Sequence, residues 1–511
     1  MSMSASILGH NRASVSVPPP SSYLPILPSR LSWVTFPQPS SLLPSDLPPA
    51  SPAAAHHFFT TDASLAYEHF FADHGPLNIG QVARFCTLLQ GKLDDPALRG
   101  KHIVYCCSSH NHRRSNSIFL ICAYLIIRLR KSAMEAYEPF YGLTPPPAPF
   151  RDAAFSICPY SLTVLDSLMG LHKAITLGHY DDAAFDPDHY DAMDRIENGD
   201  CTWIVPGKLM AFSGPLEQRR EISPGVYTMP ASEYAALFKK YGVTAVVRFN
   251  KKLYDRQGLV KRGVNHYDMY YEDGANPPEA IAAKFLKACE AEKGGVAVHC
   301  KAGLGRTGTN IGNYMMKHYR YTADESIAWC RICRPGSVVG PQQNYMKDYE
   351  AKMFRDGDAL YKRRQGGERR NSLEGDLSAG GGGGASHSQQ SLLLRSHSPV
   401  GVPAPGGEGG AAQQPLSSPP RSPEKDALEL RNLEKMKKPR VVSTSPVKNR
   451  AGRPPAGDRM PAVGRALAGE TAGAAAAGGA ATYRSTSSRK IGGGGDKGGG
   501  GRPRSVGGRR Y

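Results

Sequence analysis

The clearest hydrophobic pattern in this chain is a short apolar run that breaks into a tight loop and resumes at helical spacing. Residues 295–298 are short, apolar and bounded by glycine, the pattern of a buried strand. Ile311, Tyr314, Met315 and His318 then recur at helical spacing, which predicts a helix from near Arg306 over residues 307–319. The same plan occurs earlier in the chain. Residues 102–107 read as a strand, a loop passes through Arg113 and Arg114, and an apolar helix starts at Ser117. Each helix is followed by a capping-box start, Ser132-x-x-Glu135 in one place and Thr322-x-x-Glu325 in the other. This is the signature of an internal duplication of one α/β unit. Around the second copy, a strand at 243–249 alternates with helices near 232–241 and 278–290, predicting a mostly parallel sheet flanked by helices.

These elements divide the chain. Residues 1–55 are rich in Ser and Pro and almost free of acids, with prolines interrupting every apolar run, so disorder is expected. A Ser-rich, acid-poor start is also the composition of a transit peptide, but arginines are sparse. Residues 56–178 form a first domain, 179–200 an acidic link, 201–355 a second domain, and 356–511 a disordered tail of Gly, Ser, Pro, Ala and Arg. The apolar run at 118–127 is too short to span a bilayer and reads as a buried helix, so no membrane association is expected.

The formal net charge of +18 changes this picture little, because most of the excess lies after Met353. A basic tail points to an acidic partner: a nuclear import receptor, a kinase, or nucleic acid held weakly. The cluster Lys435-Met436-Lys437-Lys438-Pro439-Arg440 fits an import signal or an idle basic run. The ten cysteines show no disulfide spacing. Cys330-x-x-Cys333 falls in a predicted helix with no second pair at zinc spacing, and reads as packing. No metal or other cofactor is expected. A nucleophilic thiol and no secretory signal imply a reducing compartment, cytosol or nucleus.

The chemistry concentrates in the second strand–loop–helix, His299-Cys300-Lys301-Ala302-Gly303-Leu304-Gly305-Arg306-Thr307-Gly308. A loop of this shape turns successive backbone N–H groups inward, and the helix aims its positive end at the same point. That is a cradle for a phosphate. Cys300 in such a cradle is favoured as the thiolate and becomes a nucleophile. Arg306 offers a planar guanidinium that matches two phosphate oxygens. In the first copy, Cys107 stands six positions before Arg113. Its loop Ser108-Ser109-His110-Asn111-His112 has no glycine where the backbone must approach closely, so that copy is expected to be inactive.

The run resembles the signature of cysteine-dependent protein tyrosine and dual-specificity phosphatases. The flanking text is similar to one branch, the cell-division-cycle ("fourteen") phosphatases of mitotic exit. The segments that carry this are Trp203-Ile204-Val205-Pro206-Gly207-Lys208, Ala211-Phe212-Ser213-Gly214-Pro215, His266-Tyr267-Asp268 and Arg331-Ile332-Cys333-Arg334-Pro335-Gly336-Ser337-Val338-Val339-Gly340-Pro341-Gln342-Gln343. The resemblance spans about residues 56–350. It implies two tandem phosphatase-like α/β domains with disordered tails, the first non-catalytic and shaping the substrate groove.

Several roles follow from that resemblance. Asp273, in Tyr270-Tyr271-Glu272-Asp273-Gly274-Ala275-Asn276-Pro277, is the general acid, with Glu272 as the rival donor. Lys301, Ala302, Gly303, Leu304, Gly305 and Thr307 complete the phosphate loop. Thr307 is placed to stabilise the leaving thiolate, and His299 to fix the loop. Gln342 and Gln343 orient the water that hydrolyses phosphocysteine. Asp191 and Asp194 in the acidic link receive a basic substrate residue, or else form a solvated helix face. Implied partners are phosphoprotein substrates of proline-directed cyclin-dependent kinases. Implied locations are nucleus, nucleolus and cytoplasm, with centrosome or spindle.

Two rival functions stay open at this point. A phosphoinositide phosphatase can carry His-Cys-Lys-Ala-Gly-x-Gly-Arg, but with a second lysine where this chain has Leu304. A catalytically dead scaffold is opposed by intact Cys300, Arg306 and Asp273. In the tail, Ser418-Pro-Pro-Arg421, Ser422-Pro-Glu-Lys425 and Ser445-Pro-Val-Lys448 fit both a proline-directed cell-cycle kinase and the proposed groove.

Overall fold

The computed structural model describes residues 16–378, apart from 50, 52, 71–72 and 155–157. Described residues up to 364 belong to one compact unit, and of a second, 365–461, only the helical residues 365–378 are described. The expectations for residues 1–15 and 379–511, including the basic cluster and the Ser-Pro segments, lie outside the described residues.

The first half has strands β1 (Leu24–Leu27), β2 (Leu31–Phe36), β3 (His56–Thr60) and β4 (His102–Ser108), with helices α1 (Ile79–Asp94), α2 (Asn111–Leu129), α3 (Ala133–Tyr137) and α4 (Val164–Thr176). The sheet order is β1-β2-β4-β3, with β4 parallel to both neighbours and β1 antiparallel at the edge. Helix α5 (Pro187–Met193) lies in the acidic link and is capped by Asp186, whose carboxylate accepts from the N–H groups of Asp188 and His189.

The second half has β5 (Cys201–Val205), β6 (Leu209–Phe212), a small hairpin β7 (Glu221–Ser223) and β8 (Val226–Tyr227), then β9 (Val243–Arg248), β10 (Asn265–Asp268) and β11 (Gly295–His299). Its helices are α6 (Ala231–Lys240), α7 (Gln257–Val260), α8 (Glu279–Ala291), α9 (Gly305–Tyr319), α10 (Ala323–Cys333) and α11 (Gln342–Ser378). The main sheet runs β10-β9-β11-β6-β5, all parallel except the edge strand β5.

The two sheets share one plan: β1-β2-β4-β3 repeats as β5-β6-β11-β9. Helices α2 and α9 both end on a left-handed arginine, Arg130 and Arg320. Both helices that follow open on the expected capping boxes. The halves meet where α4 packs on α10. A Cβ at Gly170 would lie 2.8 Å from the Glu325 carbonyl, so only glycine allows that approach.

Three expectations are corrected. Disorder over residues 1–55 fails for β1 and β2, where Leu31, Trp33, Val34 and Phe36 are buried and the Trp33 indole donates to Ser117 Oγ at 2.9 Å. Pro25 is tolerated because β1 is an edge strand and needs no N–H on its outer side. The helix expected from Ser117 begins at Asn111, which puts Arg113 and Arg114 in its first turn. The last helix continues beyond residue 355 to Ser378. No described helix is long and apolar enough to cross a membrane. Cys330 and Cys333 are buried in α10, as packing requires.

Candidate active site

Strand β11 is fully buried between β9 and β6 and delivers Cys300 to the carboxyl end of the sheet. The backbone that follows is held from outside, carbonyl by carbonyl. His299 Nδ1 lies 2.9 Å from the Cys300 oxygen, and Gly214 N–H donates to the Lys301 oxygen at 2.9 Å. Arg334 donates from Nη2 to the Ala302 oxygen at 3.0 Å and from Nε to the Gly303 oxygen at 3.1 Å. A trans peptide points its N–H opposite to its C=O. Fixing these four carbonyls outward therefore turns the N–H groups of Lys301, Ala302, Gly303 and Leu304 toward the common centre. Gly303 has φ +70°, and a Cβ there would lie 2.1 Å from the Phe212 oxygen. A Cβ at Gly214 would lie 2.4 Å from the Cys300 oxygen. Both close approaches exclude a side chain.

Helix α9 starts at Gly305, with Leu304 as its N-cap, so Arg306 and Thr307 stand in its first turn beside the loop. Arg306 is 3% exposed. Its Nη1 donates to the Tyr271 oxygen at 2.7 Å and to the Phe249 oxygen at 3.3 Å, and its Nη2 lies 3.0 Å from Asp273 Oδ1. Arg306 Nε and Thr307 Oγ1 are buried and have no hydrogen-bond partner in the described structure. Buried donors left unmade are costly, and a bound oxyanion would satisfy them.

Asp273 sits at the mouth, its side chain 47% exposed, tied to Arg306. Glu272 instead accepts from the exposed Tyr270 hydroxyl. Of the two candidate acids, Asp273 is the one in contact with the arginine of the cradle. The loop that carries it is anchored where Asn310 Nδ2 donates to the Tyr271 hydroxyl at 2.8 Å.

His299 is buried, and burial lowers it to about 3, so it is neutral at ordinary pH. With Nδ1–H donating to the Cys300 carbonyl, Nε2 accepts from the Tyr254 hydroxyl, 2.9 Å away; Tyr254 lies 2.8 Å from His266 Nε2. Burial also lowers His266. The Arg248 guanidinium donates to the Tyr254 carbonyl at 2.8 Å and to Asp268 at 2.7 Å, which braces this chain from behind. The histidine before the cysteine thus holds the loop.

Gln342 is buried. Its Nε2 donates to the Ala275 carbonyl at 3.0 Å and its Oε1 accepts from Val339 N–H at 3.1 Å. A Cβ on Gly305 would meet that oxygen at 2.9 Å, so this amide lies against the loop that follows Cys300. Gln343 is committed elsewhere: Oε1 accepts from Arg331 Nη2 at 2.8 Å, and Nε2 donates to the Gly340 oxygen at 3.2 Å.

The acids of the link do not stand alone. Arg84 of α1 pairs with Asp188 at 2.9 Å and with Asp191 at 2.7 Å. Burial raises Asp191, and Arg84 pulls it back. Asp194 Oδ1 lies 3.7 Å from Arg334 Nη1, while Asp200 Oδ1 binds the same nitrogen at 2.7 Å. Sequence reasoning missed Arg334, Asp200, Tyr254 and Arg84. Arg334 lies in the segment 331–343 that carries the family resemblance and Asp200 in the acidic link, and nothing local ties them together. Among the described residues no group of three or more His, Cys, Asp or Glu could hold a metal ion.

A family model described as dual specificity protein phosphatase, N-terminal half, matches residues 25–174. One described as dual specificity phosphatase, catalytic domain, matches residues 228–352. The chain is similar to the human dual specificity protein phosphatase CDC14A, 47% identical over 324 residues, which cover 63% of this chain and 54% of that protein. Human CDC14C is 40% identical over 312 residues, 61% of this chain and 70% of that one. The tyrosine-protein phosphatase cdc-14 of Caenorhabditis elegans is 39% identical over 327 residues, 63% of this chain and 45% of that one. The chain thus spans little more than half the length of human and mouse CDC14A, 54% and 53%.

Proposed function

This chain belongs to the CDC14 family of dual specificity phosphatases, and on that premise we propose that it hydrolyses phosphoserine, phosphothreonine and phosphotyrosine in proteins through a phosphocysteine. The observation that carries this reading is the cradle itself. Four outward-held carbonyls face away from a cysteine, and beside it two buried donors, Arg306 Nε and Thr307 Oγ1, are unpartnered.

The reaction is two in-line displacements. Cys300 Sγ attacks phosphorus while the ester P–O bond breaks and Asp273 protonates the departing oxygen. Arg306 uses Nε and Nη2 on two equatorial oxygens, and Asp273 leaves Nη2 for the leaving group. The inward N–H groups hold the third oxygen, so most of the rate comes from positioning and electrostatics. In the second step Asp273 takes a proton from water, Gln342 orients that water, and the S–P bond breaks. Thr307 donates to the thiolate that leaves. His299, neutral and held at both nitrogens, moves no proton.

The finer reading is specificity for phosphoserine followed by proline, with a basic residue beyond it. Asp188 and Asp191 share one arginine, Arg84, and Asp194 and Asp200 share another, Arg334, so the acids outnumber the arginines they meet and leave negative charge for a substrate lysine or arginine. That makes the substrates products of proline-directed cyclin-dependent kinases and the setting mitotic exit and cytokinesis. Cell-cycle kinases acting on the tail, an import receptor, and a place in the nucleus or at the centrosome or spindle belong to the same proposal.

The test is phosphate release from three substrates: a phosphoserine-proline-x-lysine peptide, a phosphotyrosine peptide and a phosphoinositide. Turnover of both peptides, lost in Cys300→Ser, is the expected result. Turnover of the lipid alone would overturn it.

A further inference from the structure

We propose that Asp152, in the first half, is a positioning residue for the second chemical step. Through Gly340 it fixes the loop that carries Gln342. The inference rests on the phosphocysteine reading above and adds to it a role for the non-catalytic half.

Asp152 is 2% exposed and sits on a segment pinned to the first half by the bridges His74↔Arg151 and Phe150↔Leu162. Its Oδ2 accepts from the Gly340 N–H at 2.6 Å and from Ala154 N–H at 3.3 Å. The loop after α10 is also gripped from its own half. Arg331, fully buried, donates from Nε to the Ser337 oxygen at 3.0 Å, and from Nη2 to the Val338 oxygen at 2.9 Å. Burial lowers the Arg331 guanidinium, and Asp152 is the first charge that offsets this.

The loop needs such a grip. Val338 has φ +60°, a left-handed conformation that is costly for a β-branched residue. Strain of this kind persists only where the surroundings over-determine it, and it gathers at functional sites. The strained corner touches the reaction centre. Val338 N–H lies 3.4 Å from the Leu304 oxygen, and a Cβ at Gly308 would meet Ser337 and Val338 side-chain atoms at 3.2 Å. Val339 N–H then orients the Gln342 amide, which lies against Gly305 on one side and Ala275 of the acid loop on the other. One contact from the first half therefore sets a loop whose output is a single amide at the reacting centre. That amide serves the hydrolysis step, in which a P–O bond to water forms, the S–P bond breaks, the water proton passes to Asp273 and Cys300 leaves as thiolate. It has no part in the attack of Cys300.

The experiment compares Asp152→Ala, Asp152→Asn and the native full chain with an aryl phosphate, under rapid mixing and acid quench. Turnover is normalised to the amplitude of phosphocysteine formed, so only folded, reactive molecules count. In Asp152→Ala the rate of phosphocysteine formation should stay within about twofold. Its breakdown should slow by about tenfold to a hundredfold, the scale on which an ångström of misplacement is felt, and phosphocysteine should accumulate at steady state. Asp152→Asn keeps an oxygen for Gly340 and should restore most of the loss. Gln342→Ala should show the same phenotype, and the double variant should be no worse than either single. Equal slowing of both steps, unchanged breakdown, or additive losses would overturn the role of Asp152. No trapped phosphocysteine in any variant, with activity surviving Cys300→Ser, would sink the phosphocysteine reading instead.

Discussion

The two strand–loop–helix units of this molecule have the same topology and opposite chemistry. After β11 the backbone carbonyls are pulled outward by His299, Gly214 and Arg334, and the opposed N–H groups are left for an anion. After β4 an anion is already built in. The buried Asp62 carboxylate accepts from Ser108 N–H at 2.8 Å and from Leu42 N–H at 3.2 Å, and the Arg113 guanidinium donates to the Asp62 carbonyl. Ser108 follows Cys107 as Lys301 follows Cys300, so Asp62 takes a donor of the kind that the second half leaves open to an anion. The difference teaches that the cysteine and the arginine are not enough. What makes the site is outward-held carbonyls, and glycines that let the chain pass close.

The largest contrast comes from the nucleophile. Cys300→Ser should lower turnover by more than about 10³-fold, as loss of a nucleophile does elsewhere, while a phosphopeptide still binds. Calorimetric binding beside a turnover assay reads both; full activity would relocate the nucleophile. Arg306→Lys should lose roughly 10²- to 10³-fold, because a point charge cannot span two oxygens while bonding the Tyr271 carbonyl. Next in size is the acid. Asp273→Asn should slow alkyl phosphates by about 10²-fold or more and leave aryl phosphates within a few-fold. Equal slowing of both would mean that Asp273 only shapes its loop. A selective loss in Glu272→Gln would move the acid one residue back.

Much of this was legible because it is local. Strand β11, the glycines, Cys300 and Arg306 fall within one short run, and period and motif together read it. The duplication was legible for the same reason, since each copy repeats its capping box. What escaped was long-range or masked by composition. Arg334 reaches Asp200 across the whole second half, and no spacing rule pairs them. Arg84 meets Asp191 only because α1 packs beside α5, so a run that read as open acid is partly neutralised. Strand β2 carried a clear signal, Leu31-Ser-Trp-Val-Thr-Phe36, but Ser and Pro on either side outweighed it in a composition window. The positions that could not be read are those where a side chain's partner is set by tertiary packing.

A smaller effect should come from opening the plugged copy. Asp62→Ala removes the acceptor of two buried N–H groups, so stability should fall by about 1–3 kcal/mol for each donor left unpaired. Activity per folded molecule should not change. Thermal melting and an active-site titration measure the two separately. Lost activity at full folding would show that the first half's loop is coupled to catalysis.

The smallest effect is expected at Cys107, and it separates the two cysteines most cleanly. Cys107 lies inside β4, buried, with Sγ 3.9 Å from Thr35 Oγ1. Burial, with Asp62 adding to it, pushes its thiol up to about 12. At pH 7 its thiolate is then on the order of one part in 10⁵, and the thiolate is the reactive form. Iodoacetamide on the native chain should therefore label Cys300 and spare Cys107, with inorganic phosphate protecting Cys300. Because the Cys107 pKa is raised, its labelling should climb only as pH approaches that value, at which the rest of the fold is also challenged. Cys107→Ser should leave turnover within about twofold, since no donor or charge in the cradle depends on it, while a polar hydroxyl in an apolar strand costs about 1–3 kcal/mol of stability. Peptide mapping by mass spectrometry gives both answers in one digest. Cys107 labelled as fast as Cys300, or a large loss of turnover in the serine variant, would mean that the first copy has kept a working thiol.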